Sequence, residues 1–118
     1  MVGCASQSAA VGTAVGDPVR GREVFVSRDG GHCVLCHAAP GVTLAGNIGP
    51  PVAGVGARLS VDELRLRVAD MTRVSPGTVM PTFHRVEGTQ RVAPEYRGKT
   101  ALTDQQLEDV VAYLATLR

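Results

Sequence analysis

The chain has no tryptophan and only two tyrosines and two phenylalanines among its 118 residues, an aromatic share of 3%. Domains of this length ordinarily fill their centres with large rings. Here a hydrophobic content of 44% must do so with aliphatic side chains, or with an aromatic group that the chain does not itself encode. Lys99 is the sole lysine, so arginine carries the positive charge, and the formal net charge is +1. That balance excludes binding to nucleic acid or acidic lipid by bulk electrostatics. No apolar run approaches the ~20 residues that a membrane-spanning helix needs. No alternating apolar and polar run of strand length occurs either, which argues against a sheet. The length leaves room for one domain and no second core.

What is present separates into a tail and four segments. Residues 1–16 are small and uncharged and read as a disordered or processed tail, with the folded domain expected over 17–118. Met1 to Ala5 has the look of a cleaved lipoprotein leader, which makes Cys4 a candidate lipid anchor or partner in an intermolecular disulfide. Asp17-Pro18 is an N-cap followed by proline at the first helical position; the helix it opens runs through Phe25 and ends before Asp29-Gly30-Gly31. Residues 38–56 are rich in glycine and proline and read as loop. Ser60 and Glu63 form a capping box, and Leu64, Val68 and Met71 recur at helical spacing, predicting a second helix that Ser75-Pro76-Gly77 ends. A long irregular loop follows over 72–100. Thr103 and Gln106 form another capping box, opening a last helix whose Leu107, Val110, Val111, Leu114 and Leu117 share one face, with Tyr113 beside it.

The chemistry sits at Cys33-Val34-Leu35-Cys36-His37, a C-x-x-C-H haem attachment pattern. Thiols three positions apart can reach the two vinyl groups on one porphyrin edge, and the adjacent His37 then presents its imidazole to the iron. A thioredoxin-like pair would need alternating strands and helices. A zinc site would need a second ligand pair, and only Cys4, His32 and His84 remain. A structural disulfide at this spacing would close a small strained ring. Haem c, one per chain and covalent, is the cofactor these residues predict.

A sixth iron ligand must come from elsewhere, and Met71, Met80, His32 and His84 are the candidates. Met71 falls on the apolar stripe of the second helix, where methionine usually fills gaps. His32 adjoins the attachment motif on the side of His37. Met80 stands in the long loop just before Pro81, which disfavours helix and leaves the thioether able to point inward, and it is the preferred ligand; His84, in the same loop, is the alternative. The imidazole nitrogen of His37 not bound to iron needs an acceptor, and the Pro50 carbonyl, in the loop after the motif, is the candidate.

Gly21 and Phe25, the attachment motif, Gly49-Pro50, Met80-Pro81 and Tyr113 together resemble the class I cytochromes c, an all-α family with three main helices and long loops around one covalent haem. More narrowly, Gly54 to Leu59, Val79 to Val86, Arg91 to Lys99 and Leu102 to Leu117 resemble the monohaem X subunits of the sulfur-oxidising Sox system. The likeness covers roughly residues 17–118. It implies Cys33 and Cys36 as haem anchors, His37 and Met80 as axial ligands, and a crossing of the first and last helices at Gly21, Phe25 and Tyr113.

It further implies a periplasmic heterodimer with the larger, A-type haem protein of the same Sox system. That partner carries the catalytic haem, which couples thiosulfate oxidatively to a cysteine of a YZ carrier protein. The X subunit would contribute no catalytic acid, base or nucleophile. It would take the released electrons and pass them to a small soluble cytochrome c. The competing reading is a free monohaem shuttle serving an oxidase or dehydrogenase. Residues 71–100, with Arg73, Arg85, Arg91, Arg97 and Lys99 against Glu87 and Glu95, form a basic stretch suited to orienting a partner.

Overall fold

The structure, a computed structural model, describes residues 15–27, 32–84 and 101–118. Four helices lie in them: α1 (Pro18–Val26), α2 (Val55–Arg58), α3 (Val61–Ala69) and α4 (Asp104–Thr116), with single 3₁₀ turns at Cys33–Leu35 and Met71–Arg73. The described residues contain no strand. This is the all-α architecture expected, three main helices with loops between them, plus one short helix in α2. Cys4, Asp29 to Gly31, and the charged group from Arg85 to Lys99 lie outside the described residues.

Local chemistry explains where the helices begin. The Asp17 carboxylate accepts the N–H groups of Val19 and Arg20 at 2.8 and 3.1 Å, with Pro18 supplying a first helical position that needs no donor. The Ser60–Glu63 box closes with bonds of 2.8 and 3.1 Å, and the Thr103–Gln106 box with bonds of 2.9 and 3.1 Å. Each box satisfies two backbone donors that the first helical turn leaves over.

Two boundaries differ from the sequence reading. The α3 helix does not reach Met71 or Ser75: it ends at Ala69 because Asp70 leaves helical geometry and caps a new turn, accepting the Thr72 N–H at 3.1 Å. Aspartate competes with the helix in this way because its short carboxylate reaches nearby backbone donors. The α2 helix begins at Val55, inside the stretch read as loop over 38–56, and is held there by a bond from the Gly56 N–H to the Leu117 carbonyl at 2.8 Å. That partner is remote in sequence, so no local signal announced it.

The α1–α4 crossing is the largest interface between elements. At its centre Gly21 lies against the backbone of Asp109, so closely that any Cβ at position 21 would overlap the Asp109 carbonyl and the Tyr113 Cβ. Phe25 and Tyr113 meet edge to face beside it, centroids 5.5 Å apart and planes at 62°, the offset geometry that aromatic quadrupoles favour. Phe25, Leu102, Val110 and Val111 are the largest fully buried side chains.

Two carboxylates on α4 are gripped by arginines from the other helices. Asp109, 2% exposed, accepts the Arg20 guanidinium at 3.1 and 3.3 Å, the Asp17 N–H at 2.8 Å and the Gln105 amide at 2.8 Å. Burial works to raise this carboxyl, but the bonds from Arg20, Asp17 and Gln105 together hold it below the usual carboxylate range. Glu108 receives a two-pronged contact from Arg65 of α3 at 2.8 and 3.0 Å, a geometry specific to guanidinium and carboxylate. The frame is therefore α4 clasped from two sides. The Gln105 amide also donates to the Val15 carbonyl at 2.8 Å, so part of the stretch read as tail touches α4.

Candidate cofactor site

Between this frame and the loops lies a cavity of about 500 Å³, within the range that small-molecule and cofactor sites occupy. Every residue that sequence reasoning placed at the haem lines it: Cys33, Cys36, His37, Pro50 and Met80. Its inner wall is apolar, with Phe25, Leu64, Val68, Phe83, Val110 and Leu114 drawn from three helices and the Met80 loop.

Backbone bonds place the His37 side of the cavity. The turn Cys33–Leu35 starts from His32 in the left-handed conformation, φ 63°. The Cys36 and His37 N–H groups return to the Cys33 carbonyl at 3.1 and 2.9 Å, which puts both sulfurs and the imidazole on one compact turn. The loop after it is stitched back along the motif by bonds from Gly46 to Val34, Gly49 to Cys36 and Val52 to Ala38, at 2.9, 2.8 and 2.9 Å. This delivers the Pro50 carbonyl to 2.6 Å from His37 Nδ1. A carbonyl can only accept, so Nδ1 is the nitrogen that carries a proton; in the neutral imidazole the lone pair is then on Nε2, the form that ligates a metal. Gly49 makes the approach possible, since a Cβ there would lie 2.8 Å from both ring nitrogens.

Burial pushes the Cys33 thiol up to about 11, with the nearby Cys36 sulfur adding to the effect. A position hostile to thiolate suits a neutral thioether. No group of three or more His, Cys, Asp or Glu side chains that could hold a metal ion occurs among the described residues.

The opposing candidates for the sixth position separate. Met80 and Met71 both line the cavity, as does exposed His32. His84 does not: its Nε2 lies 2.6 Å from Asp104 Oδ1, in a different groove. Met71 lines the same wall as Leu64 and Val68, although it stands in the turn after α3 and not in the helix itself.

Sequence reasoning missed two arginines. Arg58 and Arg67 also line the cavity, and no Asp or Glu does so among the described residues. Arg58 is oriented by a bond from Nη1 to the Ala53 carbonyl at 3.1 Å. Two permanent positive charges on an otherwise apolar wall are suited to carboxylates on a bound group. The nearest available signal was helical spacing: Arg67 lies three residues after Leu64, on the same side of α3.

A large apolar cavity, one imidazole with its lone pair set free, two adjacent thiols and a pair of arginines fit an iron porphyrin with acidic side arms. They define a helical domain built to hold a covalent haem. Comparison with known proteins agrees: the family model described as "Cytochrome c" matches residues 18–118, and the chain belongs to the cytochrome c family, whose members carry haem c. No curated relative matches it. Among solved structures, a chain of the crystal structure of SoxXA from P. pantotrophus is 38% identical, covers 88% of this chain and 83% of that one, and superposes with a TM-score of 0.78. The chain is thus a cytochrome c similar to a component of that complex, as its motifs led us to expect. Among the described residues no helix is long and apolar enough to cross a membrane.

Proposed function

We propose that this cytochrome is the X-type electron-transfer subunit of a thiosulfate-oxidising complex in the periplasm. Bound haem supplies a one-electron couple; the polypeptide supplies the grip and the surroundings that tune it. Cys33 and Cys36 would anchor the haem covalently, and His37 and Met80 would ligate its iron. Pro50 orients His37, and Arg58 and Arg67 neutralise the haem propionates. A methionine paired with a histidine raises the potential relative to two histidines, which suits an acceptor of electrons. The partner is a larger haem protein that performs the sulfur chemistry on a carrier-protein cysteine. The electrons leave to a small soluble cytochrome c. The observation that carries this reading is the gathering of Cys33, Cys36, His37 and Met80 around one cavity in a chain 38% identical to part of SoxXA.

Purification of the native complex should yield a second haem protein, and thiosulfate with the carrier protein should reduce the haem of this chain. A monomer that exchanges electrons quickly with an oxidase and ignores both reagents would establish the free shuttle instead. Met80→Ala should abolish the methionine-to-iron charge-transfer band of the ferric protein and lower its potential; an unchanged band would exclude Met80 as a ligand.

A further inference from the structure

We propose that His84 is a positioning residue for Met80: its imidazole latches the ligand loop to the first residue of α4 and so governs how firmly the sulfur is held. The inference rests on reading Met80 as an iron ligand. It explains what a loop histidine does that the cavity leaves unused.

The loop is fastened unequally at its two ends. Before Met80, the Ser75 N–H donates to the Met71 carbonyl at 2.8 Å, and past that point the described bonds are a turn from the Thr78 N–H to the Ser75 carbonyl at 3.0 Å and one from the Met80 N–H to Thr78 Oγ1 at 3.1 Å. The last two are internal to the loop, and Ser75 to Gly77 and Val79 are exposed. After Met80 the fastenings are to the frame. The His84 N–H donates to the Ala69 carbonyl, the last residue of α3, at 3.0 Å. The Phe83 carbonyl accepts the Leu102 N–H at 2.9 Å, and the Phe83 side chain is buried in the cavity wall. The His84 imidazole then meets Asp104 at 2.6 Å.

One residue therefore ties the loop to α3 through its backbone and to α4 through its side chain. Residues 76–79, past the Ser75 N–H bond to the Met71 carbonyl, are left as the arm about which Met80 would swing. The acceptor is also well defined. In the groove of about 420 Å³ that His84 borders, the charged groups facing it are Asp62, Arg65, Asp104 and Glu108. Arg65 engages both Asp62 and Glu108, which leaves Asp104 as the carboxylate for the imidazole. The pair is partly exposed, with side chains 28% and 65% accessible, so its strength is that of a modest, solvent-screened contact rather than a buried one.

The test is exchange of the sixth ligand in the folded holoprotein at neutral pH. Added imidazole competes with methionine for ferric iron, and its apparent affinity reports how often the loop lets go. His84→Ala should raise that affinity about fivefold, and Asp104→Ala by the same factor. The double variant should rise no further, because both remove one contact. His84→Gln, which keeps a donor, should recover part of the effect. Amide hydrogen exchange at Phe83 and His84 should quicken while that of α1 stays unchanged, which a general loss of stability would not produce. Wild-type imidazole affinity in His84→Ala, or additive effects in the double variant, would overturn the latch while the methionine band persists. A missing methionine band in the unsubstituted protein would instead remove the Met80 reading, and this inference with it.

Discussion

The α1–α4 crossing and the loop walls of the cavity are held together in different ways. At the crossing, Gly21 brings two backbones into direct contact, Phe25 and Tyr113 interlock, and Asp109 receives four hydrogen bonds. The loop walls are held by separate hydrogen bonds: the His37 ring by Pro50, the Met80 loop by Ala69, Leu102 and Asp104. Close backbone packing has no slack, whereas a side chain held by one bond can shift without disturbing the fold. The frame should therefore answer to stability measurements and the walls to spectroscopy and potential.

The largest effect is expected at the crossing itself. Gly21→Ala places a methyl group against the Asp109 backbone, which cannot retreat as a flexible side chain would. It should lower the stability of the folded holoprotein by about 3 kcal/mol, measured by denaturant unfolding. A variant as stable as the parent would show that the crossing has room after all.

Asp109→Asn comes next, at about 2 kcal/mol, because buried donors lose a charged acceptor. The cost is moderated by the half-exposed Arg20. This effect has a pH signature. The folded state holds the Asp109 carboxyl below its ordinary value, so its stabilisation is complete above about pH 4 and is lost as pH falls through the lowered folded value. Melting curves of parent and variant should differ at neutral pH and converge in acid. A gap independent of pH would assign the loss to packing.

Gly49→Ala should reverse the pattern. Its methyl group would press on the His37 ring, which can turn away, so the stability cost should be about 1 kcal/mol. The ring would leave the Pro50 carbonyl, however, and the ligand-field spectrum and the potential should both change. Should stability fall as far as in Gly21→Ala, the distinction between frame and wall would fail.

The smallest change is expected from Arg67→Gln. Removing a positive charge from the cavity wall should favour the oxidised haem and lower the potential by tens of millivolts, with stability altered by no more than about 0.5 kcal/mol. An unchanged potential would place the propionates elsewhere.

Much of the frame was legible because its signals are local. Asp17-Pro18 and the two capping boxes mark helix starts within four residues, and the apolar face of α4 follows from spacing alone. The attachment motif is equally local, since Cys33, Cys36 and His37 need only a single turn to come together. Met71 shows what periodicity misses: it continues the stripe of α3 and shares the cavity wall with Leu64 and Val68, but the Asp70 carboxylate accepts the Thr72 N–H and the helix ends before it. His84, read as an alternative ligand from its place in the loop, faces Asp104 across twenty residues of chain, a partner that spacing does not reveal.

Composition and local pattern by themselves determined an all-α fold and a covalent haem, with Cys33, Cys36 and His37 as its proposed anchors and ligand, because propensity, capping and thiol spacing act between near neighbours. Tertiary structure alone decided which distant groups meet: Gly21 with the Asp109 backbone, the Pro50 carbonyl with His37, Arg58 and Arg67 with the cavity, and His84 with Asp104. Those pairings depend on how helices pack and loops return. Packing is settled by the fit of whole surfaces, which no short stretch of residues encodes.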